Sequence, residues 1–259
     1  MTVPPARQED LELALSMAAA VAPLALEWFS SADLGVQTKH DESLVTQADL
    51  AIERRLRQLV TEADPMASIV GEEAGVTAGE DTRKWFLDPI DGTISFVRGV
   101  PLFSTLIALH DEHGPAVGVI SLPALNEVIA AGRGLGCSFN GNACSVSAQS
   151  TTEDSLITTW GYELWPPALL GYLQDAKAQL QGWGDGYGWA LVATGRADAV
   201  IDFDMKPWDL APMGVILSEA GGRFTAFDGT DDISKGSGLG TNGFLHQELL
   251  SFLHRGSLG

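Results

Sequence analysis

Basic residues are scarce in this chain: 15 Lys and Arg stand against 34 Asp and Glu, a formal charge of −19 over 259 residues. Such a surface repels a polyphosphate backbone, so nucleic acid is not an expected partner. It repels small anions as well, so a site for one must carry its own positive charge, which a bound metal ion would supply. Cysteine is nearly absent. Cys137 and Cys144 are too few for a disulfide framework and are not spaced as a zinc site; they read as thiols of a reducing compartment. The apolar stretch Leu13 to Leu26 has only 14 residues and contains Pro23, short of the roughly 20 that span a bilayer. The opening MTVPPARQED has no charged leader region. The expectation is a soluble, cytoplasmic protein with no membrane partner. The histidines, His40, His110, His113, His246 and His254, form no HxH or HExxH pattern and are assigned no role.

What is present is enough apolar residue, 45%, for a substantial core. Helical patterns are expected at 8–30 and 45–63; in the second, Ala48, Ile52, Leu56 and Leu59 recur at helical spacing with Arg54, Arg55 and Arg57 outward. Strands are expected at 68–70, 85–87, 104–110, 116–121 and 126–131. Past residue 150 strands (155–159, 199–202, 223–227) alternate with helices (168–180, 187–194, 210–220, 244–253). No linker or repeat interrupts the pattern. It reads as two lobes in one unit, 1–147 and 148–259.

The chemistry concentrates in Trp85-Phe86-Leu87-Asp88-Pro89-Ile90-Asp91-Gly92-Thr93. An apolar strand delivers two carboxylates three residues apart, and Pro89 is expected to end the ladder and leave both on a turn. There they can converge on a hard cation, with the Ile90 carbonyl as a further oxygen. Gly92 lets backbone approach a ligand, and a helix opening at Thr93 would offer N–H groups to an anion. Alone, the pair reads equally well as an Asp-Pro turn. Two other segments add to it: Glu72, in GEE after a strand, and Asp209, in WD opening an apolar helix, where it could equally be an N-cap.

The ordered set GEE, DPIDGT and WDLAPMGVILSEAGG resembles the inositol monophosphatase superfamily, from Asp41 to about Asn242. The resemblance implies an α/β layered αβαβα sandwich and Mg²⁺-dependent hydrolysis of a small phosphate monoester, by a homodimer holding two or three ions per site. By match of motif, Glu72, Asp88, the Ile90 carbonyl, Asp91 and Asp209 would be the metal ligands. Gly92 and Thr93 would hold phosphate through backbone N–H groups. Thr93 and Asp49, the latter in LVTQAD, would orient and deprotonate the attacking water, with Glu72 also in the catalytic set. A metal ion lowers the pKa of water and neutralises charge on the leaving oxygen, so no Ser, His or Cys nucleophile is required.

The segments GVISLPALNEVIAA and GWGDGYGWALVATG look most like the histidinol-phosphate phosphatases of that superfamily, although Ile94 stands where those commonly carry Lys. Substrate contacts implied by motif are Asp91, Asp185, Asp202 and Asp209. Asp185 occupies a position that inositol phosphatases fill with a small residue, and Asp202 matches a second substrate-contacting carboxylate. Two acids facing the leaving alcohol suit an ammonium better than a polyol, and Trp183 and Tyr187 could face an imidazole. Alternatives are an inositol-1-phosphate phosphatase, a 3′(2′),5′-bisphosphate nucleotidase and a non-catalytic binding protein on the same fold. The nucleotidase would need extra cations, for which Arg98, Arg133, Lys206 and Arg223 are candidates.

Overall fold

A computed structural model describes residues 3–31, 34–38 and 44–256. His40 and Asp41, where the family resemblance begins, lie outside the described residues, as does the side chain of His254. The first layer is two helices, α1 (Gln8–Phe29) and α2 (Gln47–Ala63), joined by the two-stranded β1 (Gln37–Thr38) and β2 (Leu44–Val45). By length and composition α1 passes as a membrane-crossing helix. Here it lies on a sheet, with Ala14, Met17, Ala18, Val21 and Ala25 in the core.

That sheet has eight strands: β3 (Ser68–Gly71), β4 (Gly75–Thr77), β5 (Lys84–Asp91), β6 (Ser104–Asp111), β7 (Gly114–Leu122), β8 (Glu127–Gly132), β9 (Gly136–Phe139) and β10 (Asn142–Ala143). Their order is β10-β9-β8-β7-β6-β5-β3-β4, antiparallel except where β3 runs parallel to β5. The last hairpin turns through Asn140 and Gly141, both at positive φ, a two-residue turn that Asn-Gly favours. The short helix α3 (Thr93–Val97) follows β5.

The second sheet is drawn from β11 (Leu156–Thr158), β12 (Gln179–Gln181), β13 (Ala199–Phe203), β14 (Arg223–Thr225) and β15 (Ser237–Thr241), in the order β12-β11-β13-β15-β14. Between the sheets lie α5 (Asp185–Ala193) and α7 (Met213–Glu219), preceded by the single turn α6 (Pro207–Leu210). Trp189, Ile216 and Leu217 share one core there with Ile120 and Ile129 of the first sheet and Val200 of the second. On the far face α4 (Pro167–Asp175) and α8 (His246–Gly256) cover Ile157, Ala199, Ile201 and Leu239. The order of layers is therefore αβαβα.

Three expectations are corrected. Pro89 does not end its strand: β5 continues to Asp91, and the register shifts between Asp88, opposite Leu106, and Asp91, opposite Ser104. One extra residue is accommodated as a bulge, a place where a strand tolerates a residue with no N–H; the Pro89 carbonyl still accepts the Thr105 hydroxyl at 2.8 Å. The helix expected over 168–180 stops at Asp175, and Leu180 belongs to β12. Arg57 does not face outward: it folds onto the buried Glu53, four residues back.

Candidate active site

The site residues gather where β3, β5, α5 and α6 end or begin. β5 carries Asp88 and Asp91 into the gap between the sheets, both buried. Gly92 follows at φ +80°, a conformation that favours glycine, and a Cβ there would lie 3.0 Å from Asp185 Oδ2. Glu72 leaves β3 with its N–H bonded to the Leu87 carbonyl at 3.2 Å, so the loop lies against β5. Asp209 sits in the first turn of α6 and accepts the Lys206 N–H through Oδ2 at 2.7 Å; the N-cap residue is Lys206. Asp185 is the first residue of α5, at φ +53°. Its carboxylate accepts no hydrogen bond among the described residues, and the N-cap of α5 is Gly184.

Two adjoining cavities of about 400 and 430 Å³ open here, and Glu72, Asp91, Gly92, Thr93, Trp160 and Asp209 line both. The first adds Asp185 and Ile94; the second adds Asp88, Ile90 and Lys206. Ile94 is 67% exposed at the mouth. So many acids in a buried space raise one another's pKa. Asp88 and Asp209 are held well above the ordinary carboxylate value, first by burial and then by neighbouring Glu72 and Asp91. Burial pushes Asp91 up to about 6, against the Ser104 hydroxyl and the Gly186 N–H, which donate to its Oδ2 at 2.7 and 2.5 Å. Asp185 is raised by burial and by Asp91, Asp202 and Asp209.

Among the described residues no three His, Cys, Asp or Glu side chains stand in a ready-made ion cage. The acids repel one another, and several oxygens are turned to hydroxyl or amide donors. The set nonetheless fits a hard divalent cation. Every donor is oxygen, and Asp88 Oδ1 is buried without a hydrogen-bond partner. The donors named on Asp91 and Asp209 all go to Oδ2.

Not every expected residue reaches the cavities. Asp49 is fully buried; its Oδ2 caps the start of α2 through the Thr46 N–H and hydroxyl at 2.8 and 2.6 Å, while its Oδ1 has no partner. Burial pushes it up to about 6, and the Glu72 charge adds to the rise. The Thr93 hydroxyl donates to the Ile90 carbonyl at 3.1 Å, and no hydrogen bond joins it to Asp49. Asp202, expected beside Asp185 on the substrate, lies behind the cavity wall. It is 0% exposed and accepts the Trp160 N–H at 3.0 Å and the Trp189 indole N–H at 3.1 Å. Tyr187 packs into the core between the sheets, and Trp183 lines neither cavity.

The aromatics that line the cavities are Trp160, missed in the sequence, and Trp208, together with the exposed acid Asp204 at φ +53°. The available signal was position: Trp160 follows the carboxyl end of a strand, where sites of layered α/β folds gather. Of the four cations considered for a second phosphate, only Lys206 lines these cavities; Arg133 and Arg223 line a separate one.

The inositol monophosphatase family model matches residues 6–257. The histidinol-phosphatase of Chlorobaculum parvum is 38% identical over 252 residues, 95% of this chain and 97% of that protein. The histidinol-phosphatase of Mycobacterium tuberculosis is 38% identical over 258 residues, 96% and 99% of the two chains. The extragenic suppressor protein suhB of Bartonella henselae superposes with a TM-score of 0.88 at 27% identity, covering 95% of this chain and 98% of that one. Fold, site and relatives together define a phosphoric monoester hydrolase. The chain belongs to the inositol monophosphatase family.

Proposed function

We propose that this phosphatase hydrolyses L-histidinol phosphate, with Mg²⁺ held by Glu72, Asp88, the Ile90 carbonyl, Asp91 and Asp209. The observation that carries the substrate is Asp185, an acid at the wall of the cavity that Trp160 also lines, whose carboxylate has no hydrogen-bond partner of its own among the described residues. A carboxylate left open in that way suits the ammonium of an amino-alcohol ester. Both histidinol-phosphatases named above match nearly the full chain, which supports the same substrate.

When bound, Mg²⁺ would neutralise the phosphate, acidify water and stabilise the leaving oxygen. The protein's own groups do the rest. The Gly92 and Thr93 amides open α3 beside the carboxylates and orient the phosphate oxygens. Thr93, at the wall of both cavities, positions the water, while Asp49, buried behind it, holds the start of α2 through Thr46. Asp185 holds the substrate's cationic end, and Asp202 supports the wall from behind through Trp160. Reducing conditions, with two free thiols, suit a soluble cytoplasmic enzyme.

The test is kcat/KM on L-histidinol phosphate, inositol 1-phosphate and 3′-phosphoadenosine 5′-phosphate, each with Mg²⁺ and with chelator. Preference for histidinol phosphate and loss of turnover in chelator are expected. Preference for inositol 1-phosphate would reject the substrate; undiminished turnover in chelator would reject the metal.

A further inference from the structure

Glu53 is a charged residue that the reaction does not use, yet it is 1% exposed. It projects from α2 toward the loop after β3. Its Oε2 accepts the Glu73 N–H at 2.6 Å, and its Oε1 accepts the Ala74 N–H at 2.9 Å. Arg57 Nε donates to the same Oε1 at 2.7 Å, and the Arg57 guanidinium continues to the Thr77 hydroxyl at 3.0 Å and to the Gly75 carbonyl. The packing is close: a Cβ on Gly71 would lie 2.4 Å from Glu53 Oε1. The loop is therefore held from two sides, since Glu72 N–H bonds to Leu87 of β5 while the next two amides bond to Glu53.

A buried ion pair is a poor device for stability alone, because apolar residues of similar volume often serve as well. A carboxylate does something an apolar side chain cannot: its two oxygens grip two consecutive amides and so fix the direction of the residue before them. Another buried pair gives the contrast. Arg83 joins Asp10 at 2.8 Å and Asp64 at 2.8 Å, tying α1 and the end of α2 to the sheet, and it touches no site residue.

We propose that Glu53 is a positioning residue that, braced by Arg57, holds the Glu73 and Ala74 amides and thereby aims the Glu72 carboxylate at the cation it shares with Asp88 and Asp91. The proposal rests on the metal assignment of Glu72 made above. The full-length enzyme, stripped with chelator, is titrated with Mg²⁺ by calorimetry, and its melting temperature is recorded in parallel. Glu53→Gln keeps the shape but offers one acceptor where two amides need one each. Its Mg²⁺ dissociation constant should rise roughly 10- to 100-fold, the usual effect of removing a group that orients a ligand. KM for the ester at saturating Mg²⁺ should stay near wild type. Asp10→Asn, which loosens the other pair, should lower the melting temperature and leave Mg²⁺ affinity unchanged. A Glu53→Gln protein that melts early but binds Mg²⁺ as wild type does would reduce Glu53 to a structural ion pair and overturn the proposal. If Glu53→Gln does not fold, Arg57→Gln tests the same clamp: weaker Mg²⁺ binding supports it and unchanged binding overturns it. Glu72→Gln separates the two levels. Should it retain Mg²⁺ affinity, the metal assignment falls and this inference with it; should it lose affinity while Glu53→Gln does not, this inference alone falls.

Discussion

At the residue scale the site turns on Asp91, which closes β5, meets the start of α5 through Gly186 and contacts β6 through Ser104. Those two donors share Oδ2, so Oδ1 is the oxygen to offer a cation. Asp91→Asn would remove the charge from the centre of the cluster while nearly keeping its shape. Phosphatase activity with Mg²⁺ should fall at least ~10²–10³-fold, on the scale of losing one electrostatic stabiliser of a transition state; a purified variant with most of the wild-type kcat would sink the metal assignment. Asp185 makes a different demand. The ammonium it would hold lies away from phosphorus, so its contact is alike in ground and transition states. Asp185→Asn should raise KM for histidinol phosphate more than it lowers kcat. A charge-assisted hydrogen bond is worth about 1.5–3 kcal/mol, so kcat/KM should drop roughly 10- to 150-fold, with little change on glycerol 2-phosphate. Equal losses on both esters would make Asp185 structural.

At the element scale, β5 shows why some of this was legible in the sequence and some was not. Trp85, Phe86 and Leu87 read as a strand because both faces of a central strand are covered, and the carboxylates read as a site because acids at the end of such a run have no packing role. The bulge did not read, because Pro normally stops a ladder and only the pairing with β6 shows an extra residue being absorbed. Asp202 and Asp49 were legible as acids but not as buried ones: their burial comes from β13 and α2 being covered by elements distant in sequence. The β9–β10 hairpin is readable from Asn140-Gly141, a pair that favours a two-residue turn. The role of Gly184 shows only in the packing. A Cβ there would lie 2.1 Å from Trp160 N and 2.2 Å from its Cα, so α5 can begin beside Trp160 only with glycine before Asp185. Gly184→Ala should destabilise the fold by about 1–3 kcal/mol, the usual range for overpacking. It should also raise KM for histidinol phosphate by displacing Asp185. Urea unfolding and steady-state kinetics check the two parts separately; wild-type values in both would mean that the wall yields without cost.

At the scale of the whole molecule, charge is held where water cannot solvate it, and stability should register this as a dependence on pH. Asp202 is the clearest probe, because it is fully buried and lines neither cavity. Burial pushes its carboxyl up to about 7 from an ordinary 3.8, outweighing the Trp160 and Trp189 N–H bonds that favour the charged form. A folded-state pKa above the unfolded one means that the native protein holds a proton the unfolded chain has released. The benefit is complete below about 3.8 and is lost as pH rises through about 7. Its ceiling is about 4 kcal/mol at 1.36 kcal/mol for each pH unit of displacement. His246 works in the opposite direction. Its ring lies between the Thr225 and Thr241 hydroxyls at 3.1 and 3.0 Å, and burial lowers its pKa from 6.5 to about 4. Its neutral form therefore supports the fold fully above 6.5, and that support is lost as pH falls toward 4. Between pH 4 and 6.5 the two contributions oppose each other, and Asp49 and Asp91, both pushed up to about 6, act in the same direction as Asp202, so the wild-type profile alone does not separate them. Asp202→Asn isolates one of them. Unfolding free energies from urea titrations in chelator should show the wild type losing up to about 4 kcal/mol relative to Asp202→Asn between pH 4 and pH 8. The absolute order of the two proteins is secondary, since the amide also gives up an acceptor. Parallel stability curves over that range would show that Asp202 is charged throughout and that the N–H bonds from Trp160 and Trp189 outweigh its burial.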